Sequence, residues 1–299
     1  MKKQSLTLLV LLTLAIAITV GCGDSNLVPK FTKVAFLSNR TANPATSMFT
    51  SNLDGTNVTP IPFSTTNVQF LSISADGKTA VFSSGGNVWV ENTDGSGQKQ
   101  LTTSNQAYDP TISPNGKKIV YGEYDAVATT YVEWIVNPDG SGKVNLTPTF
   151  PTGMTECYEG SFSADSSQVV LLCYGNGIHG IYTVKTDGSG QKTVLTATNL
   201  NFPSFTPDNK KVVFLGNLPV AGSKSSFGVV SANIDGSGVT GLVPNANVAV
   251  VLNSSLYYSI GDGCSPNGEQ IYKANLDGTN PVLVSDGTSS DSLLFIPCN

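Results

Sequence analysis

Short runs of alternating apolar and polar residues, broken by Gly, Asp, Asn and Pro, fill the chain from Phe31 onward. Asn87-Val88-Trp89-Val90-Glu91 and Gly180-Ile181-Tyr182-Thr183-Val184 alternate with a period of two, which predicts strands with one face more buried than the other. Lys118-Ile119-Val120-Tyr121 and Lys211-Val212-Val213-Phe214-Leu215 are more continuously apolar and read as further strands. Beyond the N-terminal region no segment spaces its apolar residues at three- and four-residue intervals, so no helix is predicted there.

The strands recur with a period. Asp-Gly pairs stand at Asp54-Gly55, Asp94-Gly95, Asp139-Gly140, Asp187-Gly188, Asp235-Gly236 and Asp277-Gly278, 40 to 48 residues apart. Each follows an alternating strand and precedes a shorter one, such as Lys99-Gln100-Leu101-Thr102; Asp-Gly between two such runs marks a tight hairpin. A second turn lies upstream in each of four units, at Ser74-Ala75-Asp76-Gly77, Ser113-Pro114-Asn115-Gly116, Ser163-Ala164-Asp165-Ser166 and Thr206-Pro207-Asp208-Asn209. Units of four short strands with a period of 40–50 residues read as propeller blades. The expected fold is all-β: a six-bladed propeller of four-stranded antiparallel blades over residues 31–299. Unit one starts at a second strand, Phe31 to Leu37, and Leu293 to Pro297 matches a first strand without a blade of its own. Joining the two predicts a ring closed by the C-terminal strand, which would remove an open sheet edge.

Phe202-Pro203-Ser204-Phe205-Thr206-Pro207-Asp208 and Pro110-Thr111-Ile112-Ser113-Pro114-Asn115-Gly116-Lys117-Lys118-Ile119, with Ser38-Asn39-Arg40 after the second strand of unit one, resemble the TolB-type (WD40-like) propeller repeat. The resemblance spans residues 31–299 and implies architecture rather than activity, because such blades serve periplasmic scaffolds, peptidase gates and lyases alike. The N-terminal α/β domain of TolB itself has no counterpart between Cys22 and Phe31.

The first thirty residues set an expectation of location. Met1-Lys2-Lys3-Gln4 is followed by an apolar run, Leu6 to Val20, and then Gly21-Cys22-Gly23. This is an export signal, shorter than the ~20 residues a spanning helix needs. Thr19-Val20-Gly21-Cys22 resembles a bacterial lipobox, which implies a signal peptide over 1–21, lipidation of Cys22 and a tether over 22–30. In lipoproteins an Asp directly after the cysteine favours the inner membrane; Gly23 there favours the outer one. A lipid-anchored envelope protein is expected, touching the membrane only through its anchor.

Composition narrows the functions. Of 299 residues, 39% are hydrophobic and only 12% charged, with 16 basic and 21 acidic side chains and a net charge of −5. No basic stripe is available, so nucleic acid is excluded as a partner. The single histidine, His179, excludes any site needing several histidine ligands, and no G-x-S-x-G or Cys-x-x-Cys occurs. The stretches Gly175 to Gly180 and Gly236 to Gly241 match G-x-G-x-x-G but lie between strands, where a dinucleotide site needs a helix. No catalytic residue, resident metal or cofactor is expected, calcium being the one cation considered.

One face carries candidates. The repeat places Tyr108, Asp109, Glu123, Tyr124 and Asp125 of unit three beside Glu156, Tyr158 and Glu159 of unit four, with His179 adjoining. Carboxylates and tyrosines converging there could hold a cation, a sugar or a basic segment. The expected function is a monomeric binding or scaffolding module for an envelope protein or glycan. The rival is a glycan lyase or hydrolase using Glu123, Glu156 and Glu159. Cys157 and Cys173 fall on adjacent antiparallel strands, where a disulfide is expected in an exported protein; Cys264 and Cys298 pair only by elimination.

Overall fold

The computed structural model describes residues 10–11, 33–38, 47–52, 56–62, 68–127, 129–147, 153–217, 227–252, 254–261 and 270–283. Five blades, numbered here by their repeat units, occupy 68–100, 107–145, 156–197, 200–244 and 248–283. Each is a four-stranded antiparallel sheet in chain order, innermost strand first. Their inner strands, Val68–Ile73, Ala107–Ile112, Glu156–Phe162, Leu200–Phe205 and Val248–Leu252, pack in succession.

Six blades were expected, and this is corrected: five units form blades from their own strands. The first sheet has three strands of the repeat, Lys33–Ser38, Ser47–Asn52 and Thr59–Pro60. Its fourth strand is Val10–Leu11, which pairs with Leu37 and Ser38. That is the edge predicted for Leu293 to Pro297. An open strand edge pairs with any apolar extended segment within reach, and here the segment comes from the N-terminal run. Residues 291–299, the closure they were to make, Cys22, the tether, Cys264 and Cys298 lie outside the described residues.

The two repeated turns explain themselves chemically. In the upstream turn the Ser74 hydroxyl donates to Asp76 Oδ1 at 2.7 Å and accepts the Thr79 N–H at 3.0 Å. Ser163 with Asp165 and Thr206 with Asp208 repeat the arrangement. In the Asp-Gly hairpin Asp94 Oδ1 accepts both the N–H and the hydroxyl of Ser96, at 2.9 and 2.6 Å. These bonds hold the Asp94 carboxyl below its ordinary pKa. Gly95 takes φ +84° and sits against the Pro62 carbonyl, a place no side chain fits. Asp139, Asp187, Asp235 and Asp277 repeat this turn, so much of the acidity is turn chemistry.

The core lies between blades. One cluster joins Val120, Ile135 and Leu146 of blade three to Phe162, Leu171, Tyr182 and the cysteines of blade four. Another joins Leu172 and Ile181 to Phe205, Phe214 and Val230 of blade five. Backbone ties cross the same seams, such as Asn115 N–H to Ser166 Oγ and Ala164 N–H to Asn209 Oδ1.

Candidate functional site

Strand register decides which candidate side chains meet. In blade three, Gly122 pairs with both Tyr108 and Glu133, so these three form one row across the sheet. Tyr124 and Tyr131 pair in the next row, on the same face. That face is turned to blade four, because Val120 and Ile135 on it pack with blade-four residues. Gly122 leaves room for the Tyr108 ring, which a Cβ there would meet at 2.8 Å. Tyr108 and Tyr124 each meet the Tyr131 ring edge to face, at 5.2 Å between centroids.

A cavity of about 720 Å³ opens beside this cluster, lined by Tyr124, Thr130, Tyr131, Asn145, Met154 and Glu156 among others. The Thr130 hydroxyl donates to the Thr155 carbonyl, tying blade three to the start of blade four at its edge. Tyr124 and Glu156 both border this cavity, and the register sets Glu156 on the strand face of Tyr158.

Glu123 and Asp125 do not join them. Alternation turns both to the opposite face, toward blade two, where Tyr121 and Trp134 pack with Val81 and Val88. Glu123 is held by Lys143 at 2.6 Å, and the ammonium lies 4.2 Å from the centre of the Trp134 ring. Asp125 Oδ1 accepts the Val127 N–H and closes a turn. The expected convergence of Glu123, Glu156 and Glu159 is therefore corrected. Tyr158 packs against the core between blades four and five.

The inner strands add a feature no sequence pattern announced. At one bulge position in four successive blades stand Phe70, Asp109, Glu159 and Phe202, with φ of +47°, +49°, +58° and +52°. Left-handed backbone at residues with a Cβ costs roughly 1–2 kcal/mol each, and bulges re-aim the side chain they carry. Glu159 Oε2 accepts the Phe202 N–H at 3.0 Å, so the bulge of blade four is bonded to that of blade five.

Glu133, which the sequence did not single out, is the most deeply buried acid of the seam. It is 1% exposed, and neither carboxyl oxygen has a hydrogen-bond partner among the described residues. Burial raises its pKa well above the carboxylate range, and the charges of Asp109 and Glu159 raise it further. Burial pushes Asp109 up to about 6. Glu159 is pushed up to about 7 by burial, with the Phe202 N–H lowering it and Asp109 raising it. Tyr108 is raised by burial first, then by Glu133, Asp109, Tyr131 and Glu156. Three carboxyls thus sense one another behind the tyrosines. The available signal was a Glu inside a run, Tyr131-Val132-Glu133-Trp134-Ile135, whose alternation turns it toward the core.

Cys157 and Cys173 pair directly across the first two strands of blade four and are joined by a disulfide, both fully buried. His179 Nδ1 lies 2.6 Å from the Leu200 carbonyl oxygen; a carbonyl only accepts, so Nδ1 carries the proton and the ring ties blade four to blade five. Among the described residues no group of three or more His, Cys, Asp or Glu is arranged to hold a metal ion, and no helix is long and apolar enough to cross a membrane.

Comparison with family models and with curated protein sequences returns no match. Solved structures do match. A TolB-like protein from Agrobacterium tumefaciens superposes with a TM-score of 0.62 at 15% identity, covering 80% of this chain and 88% of that one. TolB from Acinetobacter baumannii gives 0.60 at 15% identity, over 84% of this chain and 63% of its own length. The β-propeller domain of the Trilobed protease from Pyrococcus furiosus, described as an open velcro topology, gives 0.60 at 13% identity over 91% and 84%. At these identities the likeness is one of fold: a TolB-like propeller of four-stranded antiparallel blades.

Proposed function

We propose that this chain is a non-catalytic binding propeller of the cell envelope, which takes a protein or glycan ligand on the face between blades three and four. The observation that carries this reading is the cavity that brings Tyr124 and Tyr131 to Glu156. A concave site with aromatic walls and few polar groups suits recognition. The hydrolase alternative loses support because Glu123 faces away and is paired with Lys143. The TolB-type resemblance adds the expectation of a periplasmic scaffold.

In the same proposal, removal of residues 1–21 leaves Cys22 as the lipidated first residue, with 22–30 as tether and 31–299 as the propeller. Removal of the leader also removes Val10–Leu11 from the edge of Lys33–Ser38. Pairing of the C-terminal strand along that edge, which would close the ring, belongs to the same proposal.

The reading is tested with the mature chain and a Tyr124→Ala, Glu156→Gln double variant, each photo-crosslinked in envelope extract and also applied to a glycan array. Products or glycan signals present with the parent and lost in the variant support it. Identical profiles for both proteins overturn it.

A further inference from the structure

We propose that the crevice between blades three and four binds an alkylammonium cation against the rings of Tyr124 and Tyr131, with the buried carboxyls of Asp109 and Glu133 beside those rings supplying the negative field. The inference rests on the reading of this face as a binding surface and names its ligand class.

The tyrosines do not form an ordinary core contact. Tyr108, Tyr131 and Tyr124 meet edge to face in sequence, and the last two border an open cavity. An aromatic face carries negative charge density, and an alkylated ammonium is attracted to it while its carbon shell is readily desolvated. Aromatic walls alone would serve any apolar ligand. The acids behind them select for positive charge.

The buried carboxyl oxygens among them, both of Glu133 and Oδ1 of Asp109, have no hydrogen-bond partner among the described residues. Glu133 shares its row with Tyr108, beside the row of Tyr124 and Tyr131. An unpartnered buried carboxyl is costly, and a cation nearby relieves that cost. Asp109 stands at the left-handed bulge position, φ +49°, that Phe70 and Phe202 occupy in blades two and five. Lys143, which pairs with Glu123, lies on the far face of blade three and does not supply the missing charge.

Cation and proton are then linked. Empty, the crevice favours the protonated form of Glu133 through its burial and the neighbouring charges of Asp109 and Glu159. The titratable groups that interact with it from blades three and four are Tyr108, Asp109 and Glu159, with Gly160 packed against it, and none of them is basic. An arriving cation favours the carboxylates, so binding releases protons and tightens as pH rises through the titration of Asp109, at about 6.

The alkylammonium could be a soluble cation or the headgroup of a choline lipid. The test titrates the full mature chain with choline and with its neutral isostere 3,3-dimethylbutan-1-ol, followed by tyrosine fluorescence and calorimetry. Choline is expected to saturate, with the isostere about tenfold weaker. Tyr131→Leu should lose about tenfold in choline affinity, whereas Tyr131→Phe, which keeps the ring, should stay within about threefold. Equal affinity for choline and isostere, equal losses in the Leu and Phe variants, or no saturation by choline overturns the proposal. If choline fails while the crosslinking difference at Tyr124 and Glu156 persists, the ligand class falls and the binding face stands. Sedimentation with phosphatidylcholine or phosphatidylglycerol vesicles separates the sources. Choline-competed co-sedimentation with the former supports a lipid headgroup, and free-choline binding without co-sedimentation supports a soluble cation.

Discussion

Replacing Glu91 by Gln isolates the cost of a buried acid outside the candidate site. Glu91 lies on the third strand of blade two and is 1% exposed. Its Oε2 accepts the Gln98 side-chain N–H at 2.9 Å, while Oε1 has no partner among the described residues. Burial raises the pKa from 4.5 to about 7, with the Gln98 bond opposing. The native state therefore holds a proton that the unfolded chain gives up. The stability this contributes is complete below pH 4.5, falls as pH rises and is lost above 7. At 1.36 kcal/mol per pKa unit, the loss between pH 5 and 8 has an upper value of about 2.5 kcal/mol, and solvent near the strand end reduces it to roughly 1–2 kcal/mol. Gln keeps the shape, can accept the Gln98 bond through its carbonyl and does not ionise. Urea unfolding of both proteins at pH 5, 6, 7 and 8 should show the variant gaining that amount on its parent as pH rises, while all other titrations cancel in the difference. A difference that stays flat within about 0.5 kcal/mol would refute the argument, because Glu91 would then be ionised throughout.

Gly122→Ala should destabilise by about 1–3 kcal/mol in urea unfolding, since the new Cβ meets the Tyr108 ring at 2.8 Å and neighbouring strands leave the ring little room to retreat. Removing the Cys157–Cys173 bond, which closes a separation of 16 residues, should cost about 3 kcal/mol; as both sulfurs are buried, thiol labelling of these two positions should appear only after denaturation with reductant. Deleting residues 291–299 from the mature chain should lower the melting temperature of the whole domain, and an unchanged transition would refute closure by that strand. Choline affinity measured at pH 5 and 8 should be higher at pH 8, and a pH-independent value would break the proposed link to Glu133 and Asp109.

Period and turn chemistry made the architecture legible before any coordinates. Asp94, Asp139, Asp187, Asp235 and Asp277 each bond the residue two places on, a contact that needs nothing beyond the turn itself. The four-stranded antiparallel blades follow from those local signals, and the opposition of Cys157 to Cys173 follows from the hairpin they enclose. The candidate site was legible only by region. Tyr124 and Glu156 were placed beside each other and the cavity joins them, but Glu123 is one residue from Tyr124 and faces the other neighbour. The count of blades also depended on a pairing between distant segments, where Val10–Leu11 occupies the edge of the first sheet.

The amino-acid sequence by itself determined the blades, their turns and the strand alternation, because each rests on contacts within a few residues or across one hairpin. Only the tertiary structure decided which face of a blade meets which neighbour. The bulges at Asp109, Glu159 and Phe202, the row that sets Glu133 beside Tyr108 and the partnerless state of its carboxyl all lie where two blades pack. A side chain's charge and solvation there are set by residues that no local pattern brings together.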